Sequence, residues 1–413
     1  MIEPFRSDFN ARFTAEKYAA LKRTMDERTR SHIDFRLCET PCFFAPELLQ
    51  SMVSAGAELT HQLLDNPKYL AASLAAIPAA YRVPNDDAHP HFMTVDFGLV
   101  RSDARDPSSQ LVPKLVELQA FPSLFGYQPV LSQAYIDTYQ LSPELAYRFS
   151  GLDDAAYWQL LREVIVGNHD PANVVLAEVA PETQKTLPDF RVYEQRLGIR
   201  IVDVAQLVKQ GNRLLYREKF GLVSIQRIFN RVIVDELVRK QIHLPFNYRD
   251  DLAVEWAGHP NWYFRISKLS IPYLDHPTVP PAVFLSDWYA GKPHRLPEDR
   301  GQWVLKPLYS FAGKGIHFAP AQADLDAIPV ADRKNYLLQQ RVHFEHVIQT
   351  PEGPTQPEIR ILYAWPAGGR LTAMCSLVRM GRGLMMGVDH NRDKTWVGSS
   401  AGLYLPEKGS VHA

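Results

Sequence analysis

The sequence has few cysteines, no excess of either charge and no long apolar run. Its 413 residues include three cysteines, and 45 Lys and Arg residues nearly balance 46 Asp and Glu residues. Three cysteines do not make a disulfide framework, so we expect a reducing, cytoplasmic compartment. A net charge of −1 does not favour nucleic-acid binding, and no run approaches the ~20 apolar residues that span a bilayer. We therefore expect no nucleic-acid or membrane partner, and the sequence does not indicate the oligomeric state.

Two short pairs of potential metal ligands are present, but neither has a matching second pair. Cys38 and Cys42 are close in the sequence, as are His343 and His346. A structural zinc site usually takes its four ligands from two such pairs. We therefore interpret the cysteines as buried thiols and the histidines as structural or exposed side chains.

The hydrophobic pattern predicts a chain of mixed helices and strands. Helical patterns cover 14–30, 46–76, 131–165 and 181–197. Strand patterns cover 92–100, 111–121, 174–180 and 199–204, the segment 222–233 holds another strand, and further strands follow from residue 302. The first two strands flank a polar loop and predict a hairpin. The alternation of strand and helix after residue 174 predicts a small parallel sheet.

The segment WVLKPLYSFAGKGI, 303–316, is the first candidate site. A strand that carries Lys306 leads into a loop that closes on Gly313, Lys314 and Gly315. Glycine lets backbone N–H groups approach phosphate oxygens, and a lysine at each end supplies positive charge to a polyphosphate. The GxxxxGK[ST] string of a P-loop is absent, and a β-hairpin with an exposed lysine is the alternative interpretation.

The predicted hairpin is the second candidate site. Asp96 lies on its first strand, and Glu117 and Gln119 lie on one face of its second strand. Oxygen ligands of this kind suit Mg²⁺. Glu117 also lies within the apolar run KLVELQAF, where an unpaired carboxylate is costly to bury. A Mg²⁺ site is therefore one interpretation of these residues, and a solvated sheet face is the alternative.

Two later segments carry further charged residues. Glu358 and Arg360 lie two residues apart on a predicted strand, which indicates an ordinary ion pair. Arg379, Arg382 and Arg392 follow, and their planar guanidinium groups match the oxygens of a transferring phosphoryl group. A solvated basic surface is the alternative interpretation.

Taken together, these segments resemble the ATP-grasp enzymes. KLVELQAFPSLFG resembles their E-x-N metal motif, and WVLKPLYSFAGKGI resembles their lysine strand and glycine-rich loop. WYFRISKLSIPYLDHPTVPP resembles the preceding lysine segment, and YLLQQRVHFE resembles the strand that pairs with adenine. The metal motif precedes the lysine strand, an order that resembles the circularly permuted branch represented by glutathionylspermidine synthase. The resemblance implies an α+β fold, a circularly permuted ATP-grasp fold with a small parallel-sheet, pre-ATP-grasp-like substrate domain.

The resemblance also implies roles for individual residues. Asp96, Glu117 and Gln119 would ligate Mg²⁺, although the family motif has Asn in place of Gln119. ATP would be held by Lys268, Lys306, Gly313, Lys314, Gly315, Gln339, Gln340 and Arg341, the last three lining the adenine pocket. Arg379 and Arg392 would face the transferred phosphate.

The chain is expected to divide into four regions. These are an N-terminal helical region (1–85), the metal-binding hairpin region (86–135), the α/β substrate domain (136–260) and the nucleotide-binding region (261–413). Arg227, Asn230 and Arg231 are candidates for holding a substrate carboxylate, and an ordinary amphipathic element is the alternative interpretation of that segment.

The function expected from the resemblance is ATP- and Mg²⁺-dependent carboxylate–amine ligation. A carboxylate would be activated as an acyl phosphate and joined to an amine, so the partners are small-molecule or peptide carboxylates and amines. Two alternatives remain open. One is an ATP-grasp phosphotransferase, and the other is a non-catalytic nucleotide-binding protein, which Gln119 favours.

Overall fold

The computed structural model describes residues 2–309, 315–384, 386, 391 and 393–406. Its helices are α1 Glu3–Arg12, α2 Ala15–Thr29, α3 Pro46–Leu64, α4 Pro67–Ala75, α5 Tyr127–Tyr139, α6 Asp154–Ile165, α7 Leu187–Leu197, α8 Val234–Arg239, α9 Pro260–Arg265, α10 Leu285–Tyr289 and α11 Gln322–Asp326. Its strands are β1 Cys42–Phe43, β2 Phe92–Arg101, β3 Leu111–Gln119, β4 Val174–Glu178, β5 Arg200–Asp203, β6 Val208–Gln210, β7 Arg213–Glu218, β8 Gly221–Ser224, β9 Arg227–Asn230, β10 Glu255–Ala257, β11 Ala282–Phe284, β12 Trp303–Pro307, β13 His317–Phe318, β14 Tyr336–Gln340, β15 Gln356–Ala364, β16 Thr372–Gly381 and β17 Gly398–Leu403.

The largest sheet joins strands from distant parts of the sequence. Its six strands lie in the order β1, β17, β16, β15, β2 and β3, and all pairs except β1–β17 are antiparallel. The predicted hairpin is confirmed as β2 and β3. Because β2 lies between β3 and β15, Asp96 is opposite Glu117 on one side and opposite Arg360 on the other. The sheet therefore brings the hairpin carboxylates next to charged residues of the C-terminal strands.

The two faces of β2 have different surroundings. Met93, Val95, Phe97 and Leu99 pack into the same core cluster as the apolar side of α3. Burying an apolar side chain of this size contributes about 1.5–3 kcal/mol. Side chains alternate along a strand, so Asp96 points to the opposite face.

The predicted parallel sheet is also confirmed. It has the order β10, β9, β4, β5, and every neighbouring pair is parallel. The segment 222–233 holds β9, which pairs with β4 in this sheet as predicted, and it also holds β8, which pairs with β7 in a separate three-stranded sheet. A fourth sheet, antiparallel throughout and in the order β11, β14, β12, β13, carries Lys306 and Gln339.

Two of the predicted helices are each divided into two. The helical pattern 46–76 becomes α3 and α4, because the side chain of Asn66 accepts hydrogen bonds from the N–H groups of Lys68 and Tyr69 and Pro67 starts the new helix. The pattern 131–165 becomes α5 and α6, which starts after its cap Asp153. In the described parts of the chain, no helix combines the length and apolar character needed to cross a bilayer.

Candidate functional site

A cavity of about 470 Å³ lies between the six-stranded sheet and the sheet that contains β12 and β14. Two glutamates, Glu117 and Glu358, contribute to its described lining. Five basic side chains also line it, namely Lys268, Lys306, Arg341, Arg379 and Arg382. The chain as a whole is close to neutral, so this concentration of positive charge favours an anionic ligand at this place.

Both lysines of this lining contact β3. The Nζ atom of Lys306 donates to the carbonyl oxygen of Val116 at 3.3 Å. The Nζ atom of Lys268 lies 3.4 Å from Oε2 of Glu117. Lys268 starts the 3₁₀ helix Lys268–Tyr273, whose first turn is capped by Ser267, so its backbone position is well defined. Both lysines are thus held next to the Glu117 carboxylate.

Lys306 is buried, and burial changes its protonation. Removal from water lowers the pKa of Lys306 to about 8, although the nearby carboxylate of Glu117 opposes this effect. The ammonium group is therefore charged below about pH 8 and loses its charge above it.

Asp96 is held by two arginines. Arg360 donates from Nε and Nη2 to its two oxygens at 2.6 and 2.7 Å. Arg379 donates from Nη2 to Oδ2 at 2.6 Å and also pairs with Glu358. Burial by itself would raise the pKa of Asp96, but Arg360 and Arg379 outweigh that effect and hold its pKa below the ordinary value. Both carboxylate oxygens of Asp96 are therefore occupied by guanidinium groups.

The three predicted Mg²⁺ ligands differ in how well they fit a metal. Asp96 has both oxygens in ion pairs and is not part of the cavity lining. Glu117 lines the cavity, although Lys268 and Arg360 lie 3.4 and 3.8 Å from its oxygens. Gln119 donates from Nε2 to Oε1 of Glu117 at 2.6 Å. Over the described residues, no cluster of three or more His, Cys, Asp or Glu side chains is arranged to hold a metal. Mg²⁺ at nucleotide sites is usually held by one or two carboxylates together with phosphates, so Glu117 fits such a role.

The other end of the cavity is largely apolar. Val304, Ile316, Phe318 and Val342 line it, with the predicted adenine-pocket residues Gln339, Gln340 and Arg341 beside them. The guanidinium carbon of Arg341 lies 5.3 Å from the centre of the Phe318 ring. This end offers mainly apolar walls, whereas Lys268, Lys306 and Arg379 bring positive charge to the rest of the cavity.

The glycine-rich loop is described only in part. Gly313, Lys314 and Arg392 lie outside the described residues. Gly315 has φ 70°, and a Cβ at this position would come within 2.8 Å of the Pro307 ring. Both facts require glycine where the loop returns to the sheet.

The three predicted substrate residues lie away from this cavity. Arg227 pairs with Glu255 and donates to two backbone carbonyl groups at the end of α6. Arg231 donates to the carbonyl oxygen of Pro122 and lies over two aromatic rings. The side-chain oxygen of Asn230 accepts a backbone N–H group two residues further on. These contacts stabilise the parallel-sheet region, and Arg227 also lines a separate cavity of about 250 Å³.

Glu358 and Arg360 have a larger part in the site than the ordinary ion pair that the sequence indicates. Their side chains do not form an isolated pair, because Arg360 binds Asp96 and Glu358 binds Arg379. The segment PEIRILYAW places two ionisable residues in an otherwise apolar strand, which is the same signal that singled out Glu117. Which residues they contact depends on the neighbours of β15, and those are distant in the sequence.

Sequence comparison does not assign the chain to a family. No family model matches it, and no curated protein matches it. Comparison of structures does find a match, because the mixed α+β fold is similar to that of a glutathione synthetase-like protein.

The solved structure concerned is a glutathione synthetase-like effector, GSS30, from Globodera pallida in its apo form. The TM-score is 0.58 with 12% sequence identity, and the match covers 94% of this chain and 96% of that chain. At this identity the likeness shows the fold alone.

Proposed function

We propose that this protein is an ATP- and Mg²⁺-dependent carboxylate–amine ligase with a circularly permuted ATP-grasp fold, similar to glutathionylspermidine synthase. The observation that carries the proposal is the convergence of Lys268, Lys306 and Arg379 on one cavity that also presents the carboxylate of Glu117. The β2–β3 hairpin precedes Lys306 in the sequence but shares a sheet with strands that follow it, which supports the permuted order.

The cations of the cavity would bind and orient ATP. Lys268 and Lys306 would hold its phosphates, and the apolar end of the cavity would take the base. Arg379 would stabilise the charge that develops during transfer, with Asp96 and Glu358 fixing its position. Preorganised charges of this kind act without rearrangement at the moment of reaction.

The reaction would take place in two steps. A substrate carboxylate attacks the γ-phosphorus of ATP, forming an acyl phosphate and releasing ADP. An amine then attacks the carbonyl carbon of the acyl phosphate, loses a proton and displaces inorganic phosphate, which leaves an amide. The side chains of this site bind and orient the reactants, and no protein nucleophile is required.

Magnesium would neutralise charge on the β- and γ-phosphates when bound with the nucleotide. Glu117 would hold it, with Gln119 next to that carboxylate. Asp96 would join them only if an arginine released one of its oxygens.

Mg²⁺-dependent ADP release over a panel of paired carboxylates and amines, including amino acids and small peptides, tests the proposal. We expect one acid–amine pair to stimulate ADP release and to yield an amide. A stable phosphorylated product without an amide would instead indicate a phosphotransferase. Failure of the protein to bind ATP would contradict the proposal at its first step.

A non-catalytic nucleotide-binding protein is the second candidate. The occupation of both Asp96 oxygens by arginines favours it, since the metal site then has one carboxylate fewer. Tight ATP binding without turnover for any acid–amine pair would support this candidate over the ligase.

ATP binding is expected to weaken as the pH rises above about 8. The pKa of Lys306 is lowered to about 8 by burial, so its positive charge is present below that pH and is lost above it. The dissociation constant should then rise by up to about tenfold per pH unit until the ammonium group of the complex titrates. Calorimetric titrations between pH 7 and pH 9.5 measure this directly.

Lys306→Ala provides the comparison for this pH profile. The variant should bind ATP about 30-fold more weakly at pH 7, the order expected for one charge-assisted hydrogen bond, and its affinity should no longer fall above pH 8. Lys334→Ala, an exposed lysine, is the control. Unchanged affinity in Lys306→Ala would show that Lys306 does not contact the phosphates.

A further inference from the structure

Both polar atoms of one buried side chain in the cavity lack a partner. Gln339 on β14 is 1% exposed, and neither its amide oxygen nor its amide nitrogen forms a hydrogen bond with any described residue. A buried amide that loses its hydrogen bonds to water and forms no others carries the full free-energy cost of desolvation. Such a group calls for a specific explanation, and a ligand that completes its hydrogen bonds is one.

Strand register places Gln339 at the apolar end of the cavity. It lies opposite Val304 on β12, and Val304 lies opposite Phe318 on β13. Lys306 is two residues further along β12, about 7 Å away at ~3.4 Å per residue. A nucleotide with its phosphates at the lysines would therefore have its base among Val304, Phe318 and Gln339.

Gln339 also points to the side on which the ligand would lie. Leu337, two residues earlier and on the same face of β14, packs into the core cluster shared with the six-stranded sheet. Leu338 packs on the opposite face, in the cluster around Trp303. Gln339 accordingly faces the cavity between the two sheets and lines it.

We propose that the side-chain amide of Gln339 selects adenine by bonding to its 6-amino group. The amide oxygen needs a hydrogen-bond donor, and the 6-amino group is the one donor that the base of ATP presents. The amide nitrogen can donate at the same time to an adjacent ring nitrogen, so one glutamine amide matches an edge of adenine with two hydrogen bonds. The assignment rests on the proposed nucleotide site and adds to it a residue that determines base specificity.

The test compares ATP with purine riboside 5′-triphosphate, which lacks the 6-amino group and is otherwise the same. Calorimetry should show that the wild-type protein binds ATP on the order of tenfold more tightly, as expected for one buried hydrogen bond. Gln339→Leu removes both polar atoms while keeping a side chain of similar volume. It should bind the two nucleotides equally, and ATP more weakly than the wild type does. Gln50→Leu, at an exposed position on α3, should keep the wild-type preference.

Each outcome has a distinct meaning. A wild-type protein that binds both nucleotides equally overturns the assignment, and this arm does not depend on the folding of a variant. A Gln339→Leu protein that still prefers ATP to the same extent also overturns it, because another group would then bond to the amino group. Failure of the wild type to bind either nucleotide overturns the proposed function itself, so the two failures are distinguishable.

Discussion

Replacing Glu117 with glutamine is expected to lower Mg²⁺-dependent ADP release about 1,000-fold, the order seen when a group that stabilises the transition state is lost. Glutamine keeps the shape of the side chain but removes the negative charge that faces the cavity. The metal would then be held by the phosphates without a carboxylate from β3. Steady-state ADP release measured over a series of Mg²⁺ concentrations should show both a lower maximum and a higher half-saturating concentration.

Glu345→Gln is the matched control. Glu345 lies between two residues that line the cavity, but its own side chain is outside and is 3.8 Å from Arg101. Its substitution should leave the rate and the Mg²⁺ dependence unchanged. Retention of more than about a tenth of the wild-type rate in Glu117→Gln at saturating Mg²⁺ would show that this carboxylate does not hold the metal.

The Asp96→Asn substitution is expected to lower the free energy of unfolding by about 3 kcal/mol, the lower end of the range for breaking a buried ion pair. Asparagine removes the charge that compensates Arg360, which is 8% exposed and makes two hydrogen bonds to Asp96. Arg379 keeps its contact with Glu358, which limits the loss. Urea unfolding followed by tryptophan fluorescence measures the change.

Asp103→Asn is the comparison for stability. Asp103 lies in the exposed loop between β2 and β3 and accepts a hydrogen bond from the backbone N–H group of Arg105. Asparagine can accept the same bond, so the change should be within about 0.5 kcal/mol. An equally small effect of Asp96→Asn would show that the ion pairs of Asp96 with Arg360 and Arg379 contribute little to the free energy of unfolding. The interpretation of Asp96 as a metal ligand would then gain support.

The candidate site was predictable in part from the sequence. The segments singled out for Lys268, Lys306, Glu117 and Arg379 all contribute to one cavity, and so do Gln339 to Arg341. In each case a charged or amide side chain interrupts an apolar pattern, which is a local signal. Arg227, Asn230 and Arg231 have a similar pattern but make structural contacts elsewhere, because the same signal arises wherever a buried polar group finds partners within the fold.

The local elements of this protein can be read from its sequence. The β2–β3 hairpin, the strands of the parallel sheet and the helix after Thr14 all follow from hydrophobic periodicity and capping residues, which act over a few neighbouring positions. The break at Asn66 is also local, because Asn66 caps α4 and Pro67 is its first residue.

Which strands are neighbours in a sheet depends on the tertiary fold. Pairing of β15 with both β2 and β16 brings Arg360 and Arg379 to Asp96, and pairing of β14 with β12 puts Gln339 into the cavity without a partner among the described residues. A strand's own sequence specifies which side chains share a face, but not which distant strand it will hydrogen-bond. The charged residues could therefore be identified from the sequence. Their ion-pair partners, and the lack of a hydrogen-bond partner for the Gln339 amide among the described residues, depend on contacts between residues far apart along the chain.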